Sequence, residues 1–202
     1  SDPNACIYKI GLFSERLVHE ILLFENIPEP VVDNTHANRI HLLKRAGLLP
    51  QDIDNTLYVL RRTRNSAVHT GEDSIDDAKT LLSMTYNLAV WFMETYGDWH
   101  YVAPEFVMPE ESHQKDLEAV IADQEQKIEE LSKQLEVVKT EASGTTKQDR
   151  VKHSAKVSSM MNWSEAQTRC LIDEQLRKAG WEADTQNLRY SKGTRPVKGR
   201  NL

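Results

Sequence analysis

Apolar residues recur every three or four positions through the first hundred residues of the chain, which is the spacing of amphipathic α-helices. The first run predicts a helix that ends at Pro28 and Pro30. Its apolar positions are Ile10, Phe13, Leu17, Ile21 and Phe24. A second, shorter helix is predicted from about Ala37 to Ala46, with Gly47 closing it.

Two more helices are predicted before residue 98. The third begins near Pro50, because proline is favoured in the first helical turn. Its apolar line is Ile53, Leu57, Leu60 and Ala67. The fourth begins with Ser74 and Asp77 and ends at Gly97, and its apolar face comprises Ala78, Leu81, Leu82, Leu88, Ala89 and Phe92. No segment here alternates as a strand would, so we expect a small all-α bundle over residues 1–112.

The end of this predicted domain, residues 98–111, contains two prolines among aromatic and large apolar residues. Such side chains are costly to expose in a free linker. We therefore expect an extended tail that folds back over the bundle. A strip that binds a partner protein is the alternative.

A heptad pattern over residues 113–142 predicts a coiled-coil helix that acts as a spacer. The a/d positions are Leu117, Ile121, Gln124, Ile128, Leu131, Leu135 and Val138. Self-association through this helix or through the bundle is one expectation, and a single solvated helix packed on its neighbour is the alternative. Residues 143–160 begin near Gly144 and are polar, which predicts a flexible linker.

The last part, residues 161–202, predicts one helix and one strand. Ser164 and Gln167 have capping-box spacing, and Gly180 is placed to end the helix in a left-handed cap. The helix carries one apolar face, formed by Ile172, Leu176 and Ala179. A strand-like run follows at residues 187–190. One helix and one strand cannot bury a core, so we expect these residues to open an incomplete α/β domain, onto which residues 160–163 dock.

Charge is distributed unevenly along the chain, whose net charge is −6. Residues 1–112 hold 9 basic and 17 acidic residues, whereas residues 147–202 hold 12 basic and 6 acidic ones. A polyanion is therefore expected at the C-terminal end. The candidate DNA-binding residues there are Arg189, Lys192, Arg195, Lys198 and Arg200. Cations in such a loop can follow a phosphate backbone without reading its sequence, and a solvated edge is the alternative.

Bulk features exclude several classes of protein. No apolar run approaches membrane-spanning length, and no signal peptide is visible at the N-terminus. Cys6 and Cys170 have no motif spacing, which predicts free thiols in a reducing compartment. Neither zinc-ligand spacing nor a phosphate-binding glycine loop occurs, so we expect no metal and no cofactor in this chain.

The strongest internal motif is Arg64-Asn65-x-x-x-His69 in the third helix. The apolar line of that helix leads to Arg64, which therefore faces the core and needs an acid or a ligand anion. Asn65 and His69 lie four positions apart, close enough for the amide to orient the imidazole. A structural or subunit-docking cluster is the favoured interpretation of these residues, and a nucleic-acid site is the alternative.

Two resemblances follow from these strings. The string Ser164-Glu165-x-x-x-Arg169-x-Leu171-Ile172-Asp173-x-Gln175-Leu176-Arg177-Lys178-Ala179-Gly180-Trp181 resembles the opening of the nuclease domain of type I restriction endonuclease R subunits, as does Leu188-Arg189-Tyr190-Ser191-Lys192-Gly193-x-Arg195-Pro196. The Arg64 motif on an all-α bundle resembles the HEPN superfamily, in the DUF4145-type branch often fused to such subunits. The order of the parts agrees with both.

The resemblance to R subunits implies a PD-(D/E)xK-type nuclease domain and makes Glu165 a candidate accessory acid. For the whole subunit it implies ATP-dependent DNA translocation and Mg²⁺-dependent cleavage of unmethylated DNA. That subunit would act with methylation and specificity subunits in a bacterial or archaeal cytoplasm. The residues of this chain are then an inactive interaction and spacer module.

The HEPN resemblance implies a different activity, that of a metal-independent ribonuclease or nucleic-acid sensor. In it Arg64 would stabilise a phosphate, Asn65 would position it and His69 would transfer protons. This is the alternative function.

Overall fold

The computed structural model describes residues 3–70, 75–109, 145–184, 188, 193 and 194, with the side chains of residues 66–70 excepted. These residues form six helices and no strand. The helices are α1 (Pro3–Phe24), α2 (His36–Arg45), α3 (Gln51–Thr70), α4 (Ile75–Tyr96), α5 (Lys147–Met160) and α6 (Glu165–Lys178). The mainly α fold is confirmed. The predicted coiled coil at 113–142 and almost all of the strand-like run at 187–190 lie outside the described residues.

The centre of the bundle is α1, which packs against α2, α3 and α4. Side chains from all four of these helices meet in one core, in which every member is less than a tenth exposed. The largest fully buried members are Trp91, Ile7, Ile21, Leu22, Ile40, Leu43, Leu48, Ile53, Leu57, Leu60, Met84 and Leu88. Each buried aliphatic side chain of this size stabilises the fold by about 1.5–3 kcal/mol relative to an exposed one. The four-helix bundle predicted from apolar spacing is therefore present.

The ends of the helices follow the predicted glycine signals. Gly47 after α2 has a φ of +70°, and the Leu48 N–H donates to Leu43 O over 3.1 Å. Gly180 after α6 has a φ of +89°, and the Trp181 N–H donates to Leu176 O over 2.9 Å. These bonds satisfy carbonyls that the helix itself leaves unpaired. The predicted glycine ends of both helices are confirmed.

Residues 147–160 correct the predicted flexible linker, because they form the regular helix α5 packed against α4. Thr146 caps its start by accepting from the Asp149 N–H over 3.2 Å. Ser154 on its inner face accepts a 3.0 Å hydrogen bond from the indole of Trp91. Three of the four buried residues of α5 are polar, namely Arg150, Ser154 and Ser158. No apolar period therefore marks this helix in the sequence.

An ion pair holds the start of α5 against the end of α1. Arg150 donates from Nε and Nη2 to the two carboxylate oxygens of Glu25, over 2.8 and 2.9 Å. The Glu25 side chain is 1% exposed and that of Arg150 10%. The guanidinium also lies 5.1 Å from the ring centre of Phe24 and donates to Thr145 O over 2.6 Å. Bidentate geometry with further hydrogen bonds is what offsets the cost of removing both charges from water.

Helix α6 docks on the bundle by a largely polar face. Its buried residues are Gln167, Leu171 and Glu174, which face α3 and α4. The predicted apolar face points away from the bundle, and its residues Ile172 and Leu176 are 46% and 40% exposed. The capping box is present as predicted, since the Ser164 N–H donates to Gln167 Oε1 over 2.7 Å. Gln167 Nε2 also donates to Ser83 Oγ of α4 over 2.9 Å, so polar contacts help to select the docked face.

The last residue of α6, Lys178, is held in a polar cluster on α3. Its Nζ lies 3.3 Å from Asp54 Oδ2, 2.9 Å from Asn55 Oδ1 and 4.0 Å from the centre of the Tyr58 ring. Asp54 is buried and also accepts from Lys44 Nζ of α2 over 2.6 Å. These residues tie the C-terminal end of α6 to the bundle.

Part of the predicted tail at 98–111 lies on the helices. The rings of Tyr86 and Phe106 are 5.1 Å apart, and the Tyr86 hydroxyl donates to Pro104 O. Trp99 stacks on His153 of α5 at 4.4 Å between ring centres. In the described residues, no helix is both long and apolar enough to cross a bilayer.

Candidate functional site

The predicted core-facing arginine, Arg64, crosses from α3 to the middle of α1. Its side chain lies over Gly11, and Nη1 forms an ion pair with Glu15 one turn further along α1. The guanidinium carbon is 5.4 Å from the ring centre of Tyr8, one turn in the other direction. The expected acid partner of Arg64 is thus Glu15.

Gly11 is what permits this crossing. A Cβ atom built on Gly11 would lie 2.7 Å from Cγ of Arg64 and 3.0 Å from its Cβ, well inside the usual contact distance. These are atoms of the arginine stem, so they cannot swing aside as a flexible tip would. The contact fixes where α1 and α3 cross, and the charge on Arg64 is compensated by Glu15 rather than left for a ligand.

A second pair of polar residues lies on the same part of α1. Ser14 is fully buried, and its Oγ is 2.8 Å from Nε2 of His36, the first residue of α2. Burial, with smaller contributions from the positive charges of Arg61, Arg39 and Arg64, lowers the pKa of His36 from 6.5 to about 4. The imidazole is therefore neutral at pH 7.

The polar atoms around His36 are not all satisfied. His36 Nδ1 and Arg61 Nε are both buried, and neither has a hydrogen-bond partner among the described residues. Arg39 is 3.4 Å from a carboxylate oxygen of Glu29. Arg61 has no carboxylate within ion-pair distance in the described part of the chain, and its guanidinium lies 5.4 Å from the ring centre of Tyr58.

Of the other predicted site residues, the structure describes only the side chains of Asn65 and Glu165, which lie on different helices. Asn65 is exposed on α3, and the side chain of His69 lies outside the described residues. All five predicted DNA-binding cations, Arg189, Lys192, Arg195, Lys198 and Arg200, also lie outside them. Glu165 is 81% exposed and forms an ion pair with Arg169.

The described residues do not fit a Mg²⁺ site, because no three acidic, histidine or cysteine side chains among them lie close enough to share an ion. Glu165 is the candidate acid of the predicted nuclease, and its near neighbour is a cation, Arg169. No catalytic step is assigned to these residues.

Comparison with known proteins places the helical part in a family. Residues 1–130 match the family model described as a domain of unknown function, DUF4145. The chain belongs to the DUF4145 family. The DUF4145-type domain named in the sequence resemblance is therefore present.

The DUF4145 chain is also similar to the type I restriction enzyme EcoKI endonuclease subunit of Escherichia coli (strain K12). The two are 30% identical over 254 aligned positions, which cover 99% of this chain and 21% of the relative. The chain thus spans about a fifth of the length of that relative. No solved structure matches the present chain.

Several residues of this DUF4145 site carry no sequence motif. Ser14, Glu15 and His36 belong to no recognised string, and His36 meets Ser14 only because α2 folds back on α1. One signal was available for the arginine contact. Gly11 lies in the middle of a strongly apolar helix, where glycine costs stability and therefore indicates a close approach.

Proposed function

We propose that this DUF4145 chain is part of the R subunit of a type I restriction endonuclease. The observation that carries the proposal is the similarity to the EcoKI subunit, which extends over 99% of the chain and so includes α5 and α6 as well as the bundle. In this proposal the whole subunit translocates DNA at the expense of ATP and cleaves it with Mg²⁺, together with methylation and specificity subunits. The described residues form its interaction and spacer module.

The outward face of α6 supports the proposal that this helix opens a nuclease domain. Ile172, Leu176 and Trp181 are 46%, 40% and 46% exposed. A helix docked by its polar face keeps its apolar stripe for a second layer, which is how helices cover the sheet of an α/β domain. We infer that the rest of the nuclease domain packs on this stripe.

The test is to replace two residues of the stripe in the complete subunit, Ile172→Asp with Leu176→Asp. DNA cleavage should fall at least tenfold, because two buried charges would separate α6 from the nuclease layer. ATP hydrolysis, which depends on other parts of the subunit, should be retained. Ile75→Asp, at a residue that is 51% exposed on α4, is the matched control and should leave cleavage unchanged. Undiminished cleavage in the double variant would contradict the proposal.

Glu165 is proposed as the accessory acid of that nuclease domain. Its structural role is an exposed ion pair with Arg169, worth a few tenths of a kcal/mol. Arg169→Gln breaks the same pair without removing the acid. If Glu165 acts in catalysis, Glu165→Gln lowers DNA cleavage and Arg169→Gln does not. Equal effects would mean that the pair is only structural.

The pairing of Arg64 with Glu15 favours a structural role for the HEPN-like motif over the ribonuclease alternative. A guanidinium already neutralised by a carboxylate is a poor phosphate ligand. The chain is therefore expected not to cleave RNA. Cleavage of a single-stranded RNA that disappears in His69→Ala would establish the ribonuclease instead.

A further inference from the structure

The polar cluster where α1, α2 and α3 meet has donors without acceptors. His36 is 9% exposed, and its Nδ1 atom is buried without a partner, as is Nε of Arg61. An unsatisfied buried polar atom costs on the order of 1–3 kcal/mol, so two in one cluster ask for an explanation. Neither atom serves the contacts that hold the bundle together.

The bond to Ser14 determines what kind of ligand His36 could take. When the Ser14 hydroxyl donates to Nε2, the neutral imidazole carries its hydrogen on Nδ1. Nδ1 is then a donor, as Arg61 Nε always is. Arg61 is the first of the cations that act on His36, so the two donors belong to one cluster, and each lacks an acceptor among the described residues.

The charges in the cluster indicate that this acceptor is an anion. Three arginines act on His36, namely Arg61, Arg39 and Arg64. Glu29 lies beside Arg39 and Glu15 beside Arg64. Arg61 keeps an uncompensated charge within the described residues. His36 is moreover the first residue of α2, where the helix dipole favours negative charge.

We propose that His36 and Arg61 form a binding site for a terminal phosphate group, with His36 Nδ1–H and Arg61 Nε–H as its donors. The group is either inorganic phosphate or the phosphate of a mononucleotide. A phosphate brings more charge to the unpaired guanidinium than a carboxylate does, and its several oxygens can accept from two directions. Arg64 and Arg39 remain paired with Glu15 and Glu29, and their positive charges favour the anion without contacting it.

The site is tested by titrating the 202-residue chain with inorganic phosphate, and separately with a nucleoside 5′-monophosphate, at constant ionic strength. The ¹⁵N and ¹H resonances of the His36 imidazole report both binding and tautomer. We expect saturable shifts with the hydrogen on Nδ1. Tighter binding of the mononucleotide would identify the nucleotide as the ligand, and binding of phosphate alone would identify the free ion.

Arg61→Gln should weaken phosphate binding by about tenfold or more, since it removes a charge-assisted hydrogen bond. Arg62→Gln removes the same charge from the exposed neighbouring residue and should change the dissociation constant by less than about twofold, because exposed charges are screened.

Three outcomes overturn the proposal. They are the absence of saturable shifts in the unmodified chain, equal weakening by the two arginine variants, and equal affinity for acetate. The first does not depend on whether Arg61→Gln folds. None of the three depends on the chain being part of a restriction enzyme.

Discussion

Gly11 and Arg64 illustrate how the absence of a side chain can position a charge. The arginine stem occupies the volume that a Cβ on α1 would take, and the guanidinium thereby reaches Glu15. A motif on α3 is thus held by a residue of α1 that carries no functional group.

Gly11→Ala should destabilise the chain by about 1–3 kcal/mol, because the methyl group collides with the arginine stem. This loss should exceed the gain of about 1 kcal/mol that alanine gives over glycine in a helix. In an Arg64→Ala background the collision is absent, and the same substitution should become stabilising. Urea denaturation of the unmodified chain, the two single variants and the double variant measures the change in unfolding free energy that Gly11→Ala causes in each background. An equal loss in both backgrounds would show that Arg64 is not the obstacle.

His36 should make stability dependent on pH in the acid range. Its pKa is about 4 in the folded chain and 6.5 when unfolded, so between these values the unfolded chain binds more protons. The contribution of His36 to the free energy of unfolding is fully present above pH 6.5. It falls by up to about 3 kcal/mol as the pH is lowered towards 4. The difference between the denaturation free energies of the unmodified chain and His36→Gln, measured from pH 7 to 4, should shrink by this amount. A constant difference would contradict the assignment.

At the scale of elements, α5 depends on one buried ion pair. Arg150→Met leaves Glu25 buried without its partner and should cost about 3–5 kcal/mol. Lys152→Met removes a charge from the exposed side of the same helix and should change stability by less than about 0.5 kcal/mol. Thermal denaturation of both variants compares them. Similar losses in the two would mean that helix propensity, rather than the pair, sustains α5.

Apolar spacing predicted the helices of the bundle because their burial is hydrophobic. It missed α5, whose inner residues Arg150 and Ser154 are polar and contact Glu25 and Trp91, partners far away in sequence. Trp91 was overlooked for the same reason, since α5 is what accepts its N–H. The apolar stripe of α6 was predicted, but nothing in the pattern showed that the opposite, largely polar face contacts the bundle. A sequence pattern shows that a helix has two faces, but the contacting surface decides which of them is inside.

For the candidate site, the sequence predicted that Arg64 needs an acid but not that the acid is Glu15. Ser14 and His36 were not predicted at all. Their contact joins residues 22 positions apart and has neither periodicity nor a motif. Such a site requires the packing of α1 against α2, which local patterns do not contain.

At the scale of the molecule, the positive charge at the C-terminal end is expected to contribute to nonspecific DNA binding. The five cations from Arg189 to Arg200 are proposed to contact the phosphate backbone. In the complete subunit, Lys192→Ala with Arg195→Ala should weaken nonspecific DNA binding. The slope of log affinity against log salt should fall by about 2. Lys152→Ala with Lys156→Ala, two exposed lysines of α5, removes equal charge and should leave the slope unchanged.

The heptads at 113–142 remain a prediction, and they bear on the number of chains that act together. If they form an intermolecular coiled coil, light scattering should give twice the mass of one chain. Leu131→Lys at an a/d position should return it to the mass of a monomer. Ser132→Lys, one residue off the seam, should not. A monomeric mass for the unmodified chain would favour a single helix packed on its neighbour.

The cluster of Lys178 with Asp54, Asn55 and Tyr58 also has a consequence for how a pulling force would reach the bundle. Lys178 is the final residue of α6, so a pull on the chain from its C-terminal side reaches the bundle at that point. The contacts of the lysine must give way before the helix can peel from α3 one turn at a time. Asp54 remains paired with Lys44 afterwards, so the cluster can re-form when the tension is released. If DNA translocation pulled on this module, the contacts of Lys178 would break first. Helix α6 would then detach from α3 while the bundle stayed folded.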